Sequence, residues 1–326
     1  EEKEMKVIDM HCDTIGELNE AEERGESGSL LENGLHLDLK KMEKGDYFLQ
    51  NFALFVDLGT TEEPFKTCVS MADLFYREME KNRDRIRPVT TWKEIEDNWR
   101  AGRMSALLTL EEGEVCEGNP AFLRTLYRLG ARMMTFTWNY ENSLAFPGKG
   151  GGVPETERGL KPLGYEILEE MESLGMIADV SHLSDAGILD VLKAAKKPFV
   201  ASHSDARSLA SHSRNLTDEM IRGIGEKGGV IGVNYCCDFL EDIPAGGRRV
   251  SRISSIIAHM KHLKKVGGIG CIGLGSDFDG ITGELELETA AALPRLAEAM
   301  EDAGFTASET EAVFYGNVLR LYRELL

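Results

Sequence analysis

Eight short stretches of the chain are almost continuously apolar: residues 6–10, 52–58, 104–110, 132–137, 176–180, 198–201, 229–233 and 271–274. A strand buried on both faces reads this way, and parallel sheets covered by helices bury both faces. Between these runs apolar positions recur at helical spacing, most clearly over 65–83, 120–129, 162–174, 185–196, 218–227 and 253–266. Gly130, Gly175, Gly228 and Gly267 close several of these segments, as C-terminal caps do. Two more helices follow the eighth run, near 288–303 and 307–325, and Ser308 to Glu311 reads as a capping box before the last.

This alternation predicts one (β/α)8 barrel of the TIM type, a single domain over 1–326 with extra C-terminal helices. The competing architecture is a doubly wound open sheet. No Gly-rich dinucleotide or phosphate-loop fingerprint follows any strand, which counts against it. Residues 146–160 and 242–252 read as long loops after the fourth and seventh strands.

Charge narrows the partners. The net charge of −19, from 37 Lys and Arg against 56 Asp and Glu, leaves no basic face for nucleic acid. No apolar run approaches the ~18 residues of a membrane span. Five of the first six residues are charged and they show no signal-peptide run, so the expectation is a cytoplasmic protein without a membrane partner. The six Cys form no CxxC pair and read as buried, reduced thiols, which excludes a zinc ribbon or a thioredoxin-like site. The oligomeric state stays open, a homodimer included.

The polar residues at the strand ends carry the chemistry. The first strand ends in His11-Cys12-Asp13 and the third in Glu111-Glu112-Gly113-Glu114. The fourth ends in Trp138-Asn139, the fifth in Ser181-His182, the sixth in Ser202-His203, and the eighth in Ser276-Asp277-Phe278-Asp279-Gly280. In a barrel all these ends meet on the carboxyl rim, where such folds keep their active sites. Three imidazoles and several carboxylates on one rim suit zinc or a related divalent ion, and two ions need a bridging ligand. One such His alone is more often a hydrogen-bonded core residue. Of the other histidines, His36 reads as structural, and His259 and His262 as packing or surface residues. His212 lies in a loop near the rim.

Four segments together, 8–13, 179–182, 201–204 and 275–280, resemble the renal (membrane) dipeptidase family of zinc metallopeptidases, in its bacterial type. The resemblance runs from about Val7 past Gly280. It implies a barrel with two zinc ions per chain that hydrolyses dipeptides, L,L and L,D, by an activated hydroxide. His11 and Asp13 would hold one zinc, His182 and His203 the other, and Glu111 would bridge them. Glu112 is the alternative bridge, although its side chain should point the other way. Asp277 matches the catalytic acid/base. Arg214 matches the residue that grips the substrate's terminal carboxylate.

One departure from the family pattern concerns the residue after the fourth strand. The best-known mammalian members have a His there that helps bind the reacting carbonyl oxygen; this chain has Trp138, followed by Asn139 as a possible donor. Trp offers one N–H and never a cation. The rival functions are another metal-dependent amide or lactone hydrolase on the same barrel, a catalytically weak binding protein, and a sugar-phosphate barrel enzyme. The last lacks a Gly-rich phosphate loop.

Overall fold

The computed structural model of the protein describes residues 5–148 and 153–326. Eight parallel strands close into a barrel: β1 (Val7–Asp9), β2 (Tyr47–Phe55), β3 (Met104–Glu111), β4 (Ala131–Thr135), β5 (Ile177–Asp179), β6 (Val200–Ala201), β7 (Val230–Val233) and β8 (Ile272–Leu274). Each pairs with its sequence neighbour, and β1 closes the ring against β8 through Asp9 and Leu274. The (β/α)8 expectation holds, and the open doubly wound sheet is ruled out.

Side-chain alternation along β3 shows why the ring is stable. Ala106, Leu108 and Leu110 belong to the apolar layer beneath the helices, whereas Leu107 belongs to a second apolar cluster. Ile177, Val200 and Val230, the first residues of their strands, join Leu107 in that cluster. The C-terminal helix Asn317–Leu325 seals this end with Val318, Leu321 and Tyr322. The Tyr322 hydroxyl donates to Asn51 Oδ1 at 2.9 Å. The amino end of the barrel is thus an apolar plug, and polar chemistry is confined to the carboxyl rim.

Several details differ from the sequence expectations. The last capping box is Thr306 with Glu309, not Ser308 with Glu311, because Thr306 is the extended residue and Ser308 is already helical. The helix expected over 288–303 is Leu293–Asp302, since Pro294 is tolerated only in a first turn. The last helix is interrupted by a π segment at Ala312–Gly316. An additional strand, Ile86–Pro88, pairs with the first half of β3, and β4 takes the second half. In the loop after β7, Val250–Ser251 pairs with Glu284–Leu285. Residues 149–152 of the loop expected over 146–160 lie outside the described residues.

All six cysteines are buried and unpaired. Among the described residues no helix is long and apolar enough to cross a membrane.

Candidate active site

Glu111 is the last residue of β3 and keeps the inward parity of Leu107, so its carboxylate lies at the centre of the rim. Its Oε2 is 3.3 Å from His11 Nε2. Its Oε1 is 3.0 Å from His182 Nε2 and 3.6 Å from His203 Nε2. Asp13 Oδ2 lies 3.3 Å from His11 Nε2 on the other side. His182 Nε2 and His203 Nε2 are 2.9 Å apart. Three sets of ligand atoms converge: His11 with Asp13 and Glu111, Glu111 with His182 and His203, and His11 with His203 and Asp277. Within each set the ligand atoms lie within 4.8 Å of one another.

Glu112 is not part of this cluster. Its backbone has φ 118°, and its carboxylate accepts from the backbone N–H of Glu114 and Trp138 and from Asn142 Nδ2. It therefore ties the ends of β3 and β4 together, and Glu111 alone faces the cluster.

The residues behind the cluster orient it. His182 Nδ1 donates to Asn139 Oδ1 at 3.0 Å, and His203 Nδ1 donates to Ser202 Oγ at 2.8 Å. The Ser202 hydroxyl in turn donates to Asp179, which also accepts the Ser202 and Ser181 N–H groups at 2.9 Å. Asp9 repeats this clamp between β1 and β8: it accepts from His11 N, Ser276 N and the Ser276 hydroxyl. Outer partners of this kind fix ring orientation and tautomer in metal sites. His182, Asp277 and Asp279 hold left-handed φ values of 67°, 60° and 71°. Non-glycine residues tolerate this only where the surroundings over-determine them, which is common at functional sites.

Electrostatics sort the cluster. Burial works to raise the Glu111 carboxyl, yet His11 and His182 outweigh it and hold it well below the usual range. Burial and Arg214 push His182 down to about 3, and burial and His11 push His203 far down. Both imidazoles are neutral, the form that ligates a cation. Burial pulls His11 down, but Glu111 and Asp13 reverse that and raise it well above normal. Asp13 Oδ1 is buried with no hydrogen-bond partner. An orphaned carboxylate oxygen beside converging imidazoles fits a divalent cation.

Asp277 stands beside the cluster, with Oδ1 3.7 Å from His11 Nε2 and Oδ2 accepting from Asn234 Nδ2 at 2.8 Å. Burial raises its carboxyl; His11 offsets part of this and Glu111 adds to it. Gly280 is required nearby, because a Cβ there would come within 2.1 Å of Asp13 Oδ2 and 2.6 Å of Asp277 Oδ1. Arg214 is buried behind His203, with Nη2 donating to the His203 carbonyl at 3.3 Å. Its Nε has no partner. Arg207 and Arg248 are engaged elsewhere, by Asp185 and Glu284. His212 Nδ1 accepts the Arg214 backbone N–H.

A cavity of about 320 Å3 opens over the cluster, with Asp13, Glu111, His182 and Asp277 at its base and Phe55, Trp138, Phe239 and Ile281 on its walls. Trp138 packs edge-on against Phe55, with ring centroids 4.7 Å apart. A larger groove of about 700 Å3 near Tyr76, Arg87 and Arg103 holds none of the cluster residues. The remaining histidines lie outside the cluster: His36 Nδ1 accepts the Asp279 N–H, His259 is fixed by backbone groups, and His262 pairs with Asp218. Sequence reasoning missed the Asp9, Asp179 and Asn234 supports, whose only signal was a carboxylate or amide at a strand end.

A parallel barrel with this rim defines the class of metal-dependent hydrolases. Comparison with known proteins gives the family. The chain belongs to the membrane dipeptidase family, peptidase family M19, whose model matches residues 2–325. It is 33% identical over 310 residues to an uncharacterized dipeptidase of Schizosaccharomyces pombe, covering 90% of this chain and 73% of that one. It is 27% identical over 300 residues to the dipeptidase tcpJ of Claviceps purpurea, covering 89% and 69%. The crystal structure of the metallopeptidase dipeptidase AC superposes with a TM-score of 0.91 at 26% identity over 99% of both chains. A metallopeptidase of Rhodobacter sphaeroides, liganded with a phosphinate mimic of L-Ala-D-Ala, gives 0.91 at 25% identity over 99% of this chain and 100% of that one. The protein is thus a metal-dependent dipeptidase.

Proposed function

We propose that the protein cleaves L,L and L,D dipeptides with two divalent ions, zinc by the character of the donors, bridged by Glu111. The observation that carries this reading is that two ligand triads share that one carboxylate. His11 and Asp13 would hold one ion, and His182 and His203 the other. Two ions held there would lower the pKa of a water between them and polarise the peptide carbonyl.

The protein's own groups do the rest. Asp277 is close enough to the cluster to take the attacking water's proton and then give it to the departing amine. Its raised pKa suits both halves of that exchange. Arg214 offers an unpaired Nε–H to the substrate's terminal carboxylate, a charge-assisted contact that favours short peptides with a free C-terminus. Trp138 walls the cavity beside His182, where it shields the reacting carbonyl from bulk water. Asn139 orients His182 through its carbonyl oxygen. The six unpaired cysteines support a cytoplasmic location.

The test is amino acid release from a panel of L,L and L,D dipeptides by zinc-loaded and chelated protein, with N-acyl amino acids and lactones as competitors. Zinc-dependent cleavage of dipeptides above the others is expected. Preference for an N-acyl amino acid or lactone would transfer the site to another hydrolase activity.

A further inference from the structure

Helix α1 (Thr14–Glu23) forms one side of the cavity mouth. Asp13 is its N-cap, and Glu17 and Glu20 follow at i+4 and i+7, so the three carboxylates share one helix face. All three line the cavity. At 1.5 Å per residue, Glu17 stands about 6 Å and Glu20 about 10 Å along the axis from Asp13. At the inner end, Asp13 is 8% exposed and its Oδ1 lacks a partner. Between them Gly16 leaves free space, since a Cβ there would meet nothing within 4 Å.

No Lys or Arg among the described residues lines this cavity. The cation nearest in sequence, Arg24, lies 3.5 Å from Glu20 and 3.2 Å from Glu26. Burial raises the Glu17 carboxyl, Glu20 and Asp279 push it further, and Arg24 offsets part of the rise. Arg24 on the outer side balances part of this charge, and a cation entering the cavity between Glu17 and Glu20 would balance more of it.

Topology decides which part of the substrate meets this face. α1 leaves the rim between β1 and β2, which in a ring of eight is opposite the gap between β5 and β6. The loop carrying Arg214 starts from β6. A dipeptide with its carboxylate at Arg214 and its scissile bond over Glu111 points its N-terminal residue at α1. One helical turn is about 5.4 Å, close to the reach of a four-carbon lysine stem.

We propose that the Glu17–Glu20 face selects dipeptides whose N-terminal residue is lysine or arginine, the side-chain cation lying between Glu17 and Glu20. This inference rests on the dipeptidase reading. It also implies that an N-terminal Glu or Asp is disfavoured by like-charge repulsion.

The experiment compares kcat/KM for Lys-Ala, norleucine-Ala and Glu-Ala, which share similar stems and differ in charge. Zinc-loaded protein should prefer Lys-Ala over norleucine-Ala by about two- to fivefold, the range for exposed ion pairs. The preference should shrink as salt rises. Glu17→Gln with Glu20→Gln should bring the ratio towards one, and Glu17→Lys should favour Glu-Ala. Calorimetric binding of the phosphinate mimics of the same dipeptides should follow the same order. A wild-type ratio of one or less, or a ratio unmoved in the double variant, overturns the inference and leaves the dipeptidase reading standing. Failure to cleave any dipeptide overturns that reading and the inference with it.

Discussion

The two ends of the barrel are built from the same strands by opposite rules. At the amino end Leu107, Ile177, Val200 and Val230 meet Val318 and Leu321, and the buried hydroxyl of Tyr322 is matched by Asn51. At the carboxyl end three histidines and three carboxylates crowd together, with Asp13 Oδ1 and Arg214 Nε left without partners. Unpartnered polar atoms set among converging ligand groups, as at the mouth, mark an end held for a ligand. The stability of the barrel resides at the plugged end, and the chemistry at the mouth.

Separate substitutions should therefore separate the two properties. The largest effect is expected at Asp277→Asn, which keeps the size and removes the proton acceptor. Turnover should fall by roughly 10²–10⁴ while metal content survives. Full activity would reassign the base, and loss of metal would make Asp277 a ligand. At the plugged end Leu321→Ala should cost about 2–5 kcal/mol in urea unfolding, because Leu321 is fully buried, with no change in kcat where the variant is folded. Lost turnover in the folded variant would break the division between the ends.

Back at the mouth, Arg214→Ala should lower kcat/KM by about ten- to a hundredfold. Amidating the dipeptide should cost as much, and the two changes should not add, since both remove one contact. Arg214→Lys should restore only part, because an ammonium lacks the planar fork. A variant that still separates acid from amide as the wild type does would remove Arg214 from the clamp.

His259 sharpens the contrast from a third place. It is as buried as the mouth histidines, but its Nδ1 accepts the Ala206 N–H and its Nε2 donates to the Leu240 carbonyl. A proton on Nδ1 would break the first bond; burial, helped by His262 and opposed by the Leu240 carbonyl, pushes the imidazole down to about 4. The unfolded imidazole takes its proton near 6.5, so as pH falls from 6.5 to 4 stability should drop by on the order of 3 kcal/mol through this residue. In His259→Gln that share of the slope should vanish; an identical slope in both proteins would exclude His259 as its source.

The sequence displayed the barrel because parallel strands buried on both faces leave continuous apolar runs. It displayed less where polar residues interrupt them. β2 begins at Tyr47 rather than residue 52 because the buried Gln50 and Asn51 read as non-strand. α1 was missed since only Thr14, Ile15 and Leu18 of its ten residues are buried. The convergence of His11, Asp13, Glu111, His182 and His203 followed from their places at strand ends, and the separation of Glu111 from Glu112 followed from strand parity. The clamps of Asp9 and Asp179 did not, because a strand-end carboxylate looks the same whether it faces a cation or two backbone N–H groups. Long-range partners such as Ser276 and Ser202 become visible only once the ring closes.

The central claim is that the mouth is built around a shared carboxylate, and anomalous diffraction from crystals grown with zinc tests it most directly. Two peaks per chain are predicted, both within about 2.2 Å of Glu111 oxygens, one also bound by His11 and Asp13 and the other by His182 and His203. A single peak, or two peaks that do not share Glu111, would contradict it.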